Sequence, residues 1–230
     1  MPRSLQTSEV NYVDLEAEGG TVVRCVSKRR PKTLYEVEHR EGRWLITTNH
    51  GGLLNMKLVG CEAKQECEGE WEEIKMGGEV LFPGDETRPL DDVLPLKNHL
   101  VMYGREGGIP RVWVAKVGGS HDVERFSRLE FEEDAYDVGG GGNMEYDVGD
   151  FLVSYDSLVT PPKVYKVELD DVGERQCLKE RVVPGYEPSK YACARDTVKS
   201  RDGKTDIPIS IVWNKEKRKP DGEVRKAGRT

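Results

Sequence analysis

No stretch of this 230-residue sequence reaches 18 consecutive apolar residues, so no membrane-spanning helix is expected. The first twenty residues, MPRSLQTSEVNYVDLEAEGG, have no apolar core behind the single early Arg3, which leaves no secretory signal to read. Positive charge is short: 35 Lys and Arg stand against 42 Asp and Glu, a net charge of -7. That balance argues against a nucleic-acid partner, because phosphate binding needs a basic face. Cysteine is sparse and odd in number, at Cys25, Cys61, Cys67, Cys177 and Cys193. The scattered spacing fits unbridged thiols in a reducing compartment, and a cytoplasmic location is expected. Cys61 and Cys67 are the nearest pair, but their spacing is not that of a usual zinc knuckle. They read as two thiols flanking a polar loop.

Helical periodicity is also scarce, and period-2 alternation takes its place. In RWLITTN, Trp44, Ile46 and Thr48 face one way and Leu45 and Thr47 the other. Asn49 to Gly52, NHGG, is a turn signal, and NMKLVG starts a second strand at Asn55. This is a hairpin pattern. It returns as HLVMYG from His99 with PRVWVAKV from Pro110, and as DFLVSYDS from Asp150 with KVYKVEL from Lys163. Anchors at Trp44, Leu100 and Phe151 are spaced by 56 and 51 residues.

Each hairpin is flanked by further strand patterns. LYEVEH (from Leu34), DDVLPLK (from Asp91) and NMEYDV (from Asn143) precede them; WEEIKM (from Trp71), RFSRLEF (from Arg125) and ERQCLKE (from Glu174) follow. Each unit therefore reads as four antiparallel strands in roughly 50 residues, the period of a longer β-propeller blade. A four-stranded sheet cannot bury both faces alone, and stacking on a neighbour buries them. The expected fold is all-β, a partial propeller of about three blades over 34–78, 91–131 and 143–180. TVVRCVSK, from Thr21, reads as one strand of a preceding blade within an extension over 1–33. A β-sandwich is the alternative, but it offers no reason for the repeat. Residues 181–192, with two prolines and a glycine in VVPGYEPSKY, read as an exit linker. Arg201-Asp202-Gly203 is a turn before the strand IPISIVW, Ile207 to Trp213, and residues 193–230 read as the opening of a new domain with a polar tail.

Four segments together resemble the prolyl-oligopeptidase family, in its oligopeptidase B branch: Tyr35 to Val59, Tyr155 to Lys179, VPGYEPSKY (Val183 to Tyr191), and Ala194 to Trp213. The resemblance implies the last blades of a propeller that filters peptides by size, followed by a short start of an α/β-hydrolase domain. It further implies a serine endopeptidase acting on short peptides after Arg or Lys. The nucleophilic Ser, the Asp, the His and the acidic specificity residues of that family match no position here. No catalytic, cofactor-binding or metal-ligating residue is therefore assigned, no cofactor is expected, and the chain alone is expected to be inactive.

The residues give the same answer directly. No G-x-S-x-G elbow exists, and a hydrolase nucleophile needs one to expose its hydroxyl. Gly118-Gly119-Ser120-His121-Asp122 lacks the second glycine, and neighbours on one turn do not converge as a triad does. His39 and His50 bracket a strand and lack metal-ligand partners at usual spacing. Asp91-Asp92, Glu132-Glu133-Asp134 and Asp170-Asp171 read as solubilising charges at strand ends and turns. Gly139 to Gly142 is no phosphate loop, since no lysine, Ser/Thr or helix follows; it reads as a mobile loop between strands. Lys215, Lys217, Arg218 and Lys219 are diluted by Glu216, Asp221 and Glu223 and read as a solvated end. The alternatives to the gating propeller are a non-catalytic interaction module and an incomplete gene product. Open blade edges are expected to favour self-association.

Overall fold

The computed structural model describes residues 7–15, 22–63, 67, 71–118 and 122–217. The described residues form eighteen strands and contain no α-helix. They are β1 (Asn11–Val13), β2 (Val23–Cys25), β3 (Tyr35–Arg40), β4 (Arg43–Thr48), β5 (Lys57–Glu62), β6 (Glu72–Glu73), β7 (Lys75–Met76), β8 (Glu79–Val80) and β9 (Leu90–Pro95). Then come β10 (His99–Glu106), β11 (Ile109–Val117), β12 (Val123–Arg128), β13 (Tyr136–Gly140), β14 (Asp150–Ser157), β15 (Lys163–Glu168), β16 (Arg175–Glu180), β17 (Tyr191–Lys199) and β18 (Asp206–Asn214). Three four-stranded antiparallel sheets, β3–β6, β9–β12 and β13–β16, keep the strands in chain order, and β1–β2, β7–β8 and β17–β18 form two-stranded sheets. Trp44, Leu100 and Phe151 each stand second in the second strand of their sheet. The repeat seen in the sequence is thus a repeat of register.

The chain divides into two compact units. The first runs up to Gly107 and includes Arg111–Leu129 and Met144–Gly149; the second contains Gly108–Pro110, Glu130–Asn143 and the chain from Asp150 onward. In the first unit, alternation along β4 sends side chains to two different cores. Leu45 joins Leu58, Leu81, Phe82, Leu100, Met102 and Trp113 in the core shared by the first and second sheets. Trp44 and Ile46 join Val26, Tyr35, Val59 and the two cysteines Cys61 and Cys67 on the other face, beneath β1 and β2. The β3–β4 reversal needs only Glu41 and Gly42, both at positive φ (47° and 73°), the backbone that a tight two-residue hairpin demands.

Arg40 locks the two sheets. It is 3% exposed. Its Nε donates to the Leu96 carbonyl at 3.0 Å, and its Nη2 donates to the Lys97 carbonyl and, at 3.3 Å, to that of Val117. A buried guanidinium is tolerated when carbonyl oxygens replace the water it has lost.

Several elements depart from the sequence reading. The N-terminal segment supplies two strands, not one, because β1 pairs with β2 (Asn11↔Cys25, Val13↔Val23). WEEIKM does not continue as a single fourth strand: only Glu72 and Glu73 pair with β5, while Ile74 turns into the core and Lys75–Met76 pair with β8. The first strand of the third sheet is Tyr136–Gly140, not NMEYDV. The sequence holds Tyr-Asp-Val twice, at 136–138 and 146–148. Only Gly149 separates the second copy from β14, and a hairpin needs at least two connecting residues. Gly139 and Gly140 are therefore paired strand, opposite Ser154 and Val153, not loop. Asn143 extends the edge with its side chain, donating to the Leu152 carbonyl at 2.9 Å and accepting from its amide at 2.7 Å.

Cys61 and Cys67 are joined in a disulfide, with Cα atoms 6.6 Å apart, in place of the two thiols expected. Cys67 lies in the same core cluster as Cys61, a proximity that spacing alone does not reveal.

In the second unit, Phe131 stacks on Tyr155 with ring centroids 4.2 Å apart, Tyr136 lies 5.2 Å away, and the Arg175 guanidinium sits 4.7 Å above the Phe131 ring. The β17–β18 hairpin pairs over its whole length, Tyr191↔Asn214 to Lys199↔Asp206, around a turn with Gly203 at φ 72°. Val198, Ile207, Ile211 and Val212 along it stay exposed.

Candidate functional site

In the first unit, β3 and β9 are the first strands of their sheets and lie against each other. Both turn carboxylates outward: Glu36 and Glu38 on β3, Asp91 and Asp92 on β9. The acidic pair at 91–92 directly follows Leu90, the first residue of β9. The Glu38 carboxyl is raised above its ordinary value, first by burial and then by the charges of Asp92 and Glu36. The Tyr103 phenol is pushed far up by burial and by Asp92, and its hydroxyl has no hydrogen-bond partner among the described residues. Asp91 is compensated by Arg105 at 3.4 Å. A carboxyl raised by neighbouring carboxylates, as Glu38 is, sits in a field that favours an added cation.

In the second unit, Glu133 gathers hydroxyls. It accepts from Tyr155 and, at 2.7 Å, from Thr160. Burial pushes its carboxyl up, but hydrogen bonds from Tyr155, Ser157 and Thr160 outweigh that and hold it below 4.5. The nearby Cys193 thiol is raised by burial and by Glu133, and its Sγ faces the Ala135 carbonyl at 3.9 Å. A thiol raised in this way is a poor nucleophile. His39, His50 and His99 belong to the first unit, and the described residues of the second unit include no imidazole. The Glu133 cluster fastens chain to chain: Tyr186 donates to the Val159 carbonyl at 2.7 Å beside a cavity of about 340 Å³ whose lining includes Leu158, Arg181 and Val183.

The other sequence candidates do not converge. His39 meets Trp44 edge-on at 5.1 Å and His50 meets Trp71 at 5.5 Å, so each packs on a different tryptophan. The His50 imidazole is held below its ordinary value by burial and by Arg30 and Lys57. His39 also lines a cavity of about 800 Å³ with Tyr12, Asp14, Arg24 and Trp44. No group of three metal-ligating side chains occurs among the described residues. Asp171 caps its own turn, accepting from the Gly173 amide at 3.0 Å. Lys215 donates to the Ser189 carbonyl at 2.9 Å. Residues 119–121 of the Gly118–Asp122 turn, and Arg218 and Lys219, lie outside the described residues. Sequence reasoning missed the β3–β9 carboxylates as a group. The signal was available, since Glu36-x-Glu38 and Asp91-Asp92 occupy equivalent first strands of a repeat.

Four-stranded antiparallel sheets that recur in chain order, the first two sharing an apolar core, define an array of propeller-type blades. The profile of the prolyl oligopeptidase N-terminal β-propeller domain matches residues 2–181, and the chain belongs to that family, as part of its propeller. It is 30% identical to dipeptidyl aminopeptidase BI of Pseudoxanthomonas mexicana over 214 residues, 93% of this chain and 27% of that protein. It is also 30% identical to protease 2 of Moraxella lacunata, over 91% of this chain and 28% of that one. Oligopeptidase B from Leishmania major superposes with a TM-score of 0.78 at 27% identity, over 94% of this chain and 30% of that structure. Oligopeptidase B from Trypanosoma brucei does so at 0.77 and 26%, with the same coverage. The chain thus spans less than a third of the length of these relatives.

Proposed function

We propose that this chain is the substrate-gating propeller portion of a cytoplasmic serine oligopeptidase that cleaves short peptides after basic residues, with the catalytic groups supplied by sequence beyond it. The observation that carries the reading is the paired carboxylate display of β3 and β9 within a propeller of this family. Cationic side chains entering along those strands relieve the mutual repulsion of Glu36, Glu38 and Asp92. The β17–β18 hairpin lies past the propeller match, and its exposed Ile207, Ile211 and Val198 suit the opening of a catalytic domain whose sheet covers them. No helix among the described residues is long and apolar enough to cross a membrane.

Two measurements on the purified chain test this. An Arg-containing reporter peptide is expected to remain uncut; turnover that titrates with a serine-directed inhibitor overturns the inactivity. A fluorescent peptide carrying two arginines is expected to bind, with affinity that weakens with salt and falls several-fold in Glu38→Gln/Asp92→Asn. Equal binding of that peptide and its glutamate counterpart removes the carboxylate argument.

A further inference from the structure

Cys61 and Cys67 are each 7% exposed and belong to the outward core of the first sheet, with Trp44, Ile46 and Val59. Cys61 stands opposite Trp44 in the β4–β5 register. Cys67 does more than fill space: its backbone amide donates to the Val26 carbonyl at 3.1 Å. Val26 directly follows β2, is 1% exposed, and donates in turn to the Val10 carbonyl at 2.9 Å. The bridge therefore fixes a backbone group through which Cys67 holds the junction of β1 and β2. A three-residue pair of strands cannot sustain itself, because an isolated two-stranded ribbon is marginal in water. Its position depends on Tyr35, whose hydroxyl donates to the Ser27 carbonyl and accepts from Val10 at 2.9 Å, and on the Cys67 contact.

We propose that the Cys61–Cys67 pair is a thiol–disulfide switch that fixes the β1–β2 sheet over the outward face of the first four-stranded sheet. In the bridged state the constraint keeps the Cys67 amide against Val26. Reduction by a small-molecule thiol proceeds by attack of its thiolate on one cysteine sulfur, which breaks the Cys61–Cys67 bond and forms a mixed disulfide. A second thiol resolves that intermediate. The protein gains two electrons and two protons as two thiols, and the reductant leaves as its own disulfide. The Cys67 amide is then no longer constrained, and β1–β2 opens more often from Trp44, Ile46 and Val59. Neither step involves the peptidase reading, so the switch stands or falls separately from it.

The whole 230-residue chain, purified without reductant, is divided in two, and one half is treated with glutathione. Each half is denatured and alkylated, and the Cys61 and Cys67 peptides are weighed. Amide hydrogen exchange is followed in parallel over 11–13 and 23–26. The expected result is a linked peptide pair before glutathione, two alkylated thiols after it, and exchange in β1–β2 that rises about ten-fold on reduction, since closing even a short loop constrains local opening. Cys61→Ser/Cys67→Ser is expected to exchange at the reduced rate with or without glutathione. Full alkylation before reduction overturns the proposal. So does exchange in β1–β2 that is unchanged between the two halves of the native protein, a comparison that does not depend on the variant folding.

Discussion

Glu133 shows how a single side chain couples the second unit to pH. Its carboxylate is favoured in the fold, because three hydroxyl donors outweigh the cost of its burial. A carboxyl whose folded pKa lies below its unfolded value stabilises the fold fully above the unfolded value of 4.5 and loses that contribution as pH falls through the folded one. Glu133→Gln is therefore expected to lower the urea midpoint at pH 7 and to lower it less at pH 3, below the unfolded value, where the contribution of the charge is already shrinking. An equal loss at both values would show that the hydroxyl geometry, not the charge, matters. Glu38 has the opposite sign. Its raised pKa costs stability above the folded value, and that cost disappears as pH falls through it. Groups that cost stability at neutral pH are what a binding surface retains and a purely structural one loses.

At the scale of strands, the two Tyr-Asp-Val copies give a direct contrast. Tyr136 is 8% exposed in β13 while Tyr146 is 39% exposed, its hydroxyl donating to Glu41 at 2.9 Å. Tyr136→Ala is expected to cost about 3 kcal/mol, the loss for a large core aromatic, and Tyr146→Ala about 1 kcal/mol or less; equilibrium unfolding separates the two. Equal costs would return the strand to 143–148. Much of the sheet pattern was legible in the sequence because alternation is a local property. Trp44, Ile46 and Thr48 against Leu45 and Thr47 describe two faces before any partner is known, and the structure sends Trp44 and Ile46 to one core and Leu45 to the other. Local identity failed where two segments carried the same tripeptide. It failed again at β7–β8, where Ile74 left the strand for the core. The Cys61–Cys67 bridge depends on which segments become neighbours in space, and no window of residues encodes that; the β3–β9 carboxylates were legible only through the repeat, not through any single window.

For the molecule as a whole, the repeat and the four quoted segments were enough to reach the family, because a blade's register recurs and survives at 30% identity. The hairpin beyond the propeller match leaves Val198, Ile207, Ile211 and Val212 in solvent on a ribbon with unpaired edges. Exposed apolar strands with free edges pair with copies of themselves. The chain on its own is expected to scatter light as oligomers or larger species at micromolar concentration, and a clean monomer there would show that the hairpin is covered in some other way.

Arg40 has a consequence of a different order. One guanidinium from the first sheet is satisfied by three main-chain oxygens of the second, so two modules that look interchangeable in sequence are keyed to one another. Exchanging the second blade for another would remove those three oxygens from the face against which Arg40 packs. The pairing of these two modules is thus tied to a solvation requirement, and a blade swapped into the second place must offer Arg40 equivalent carbonyls.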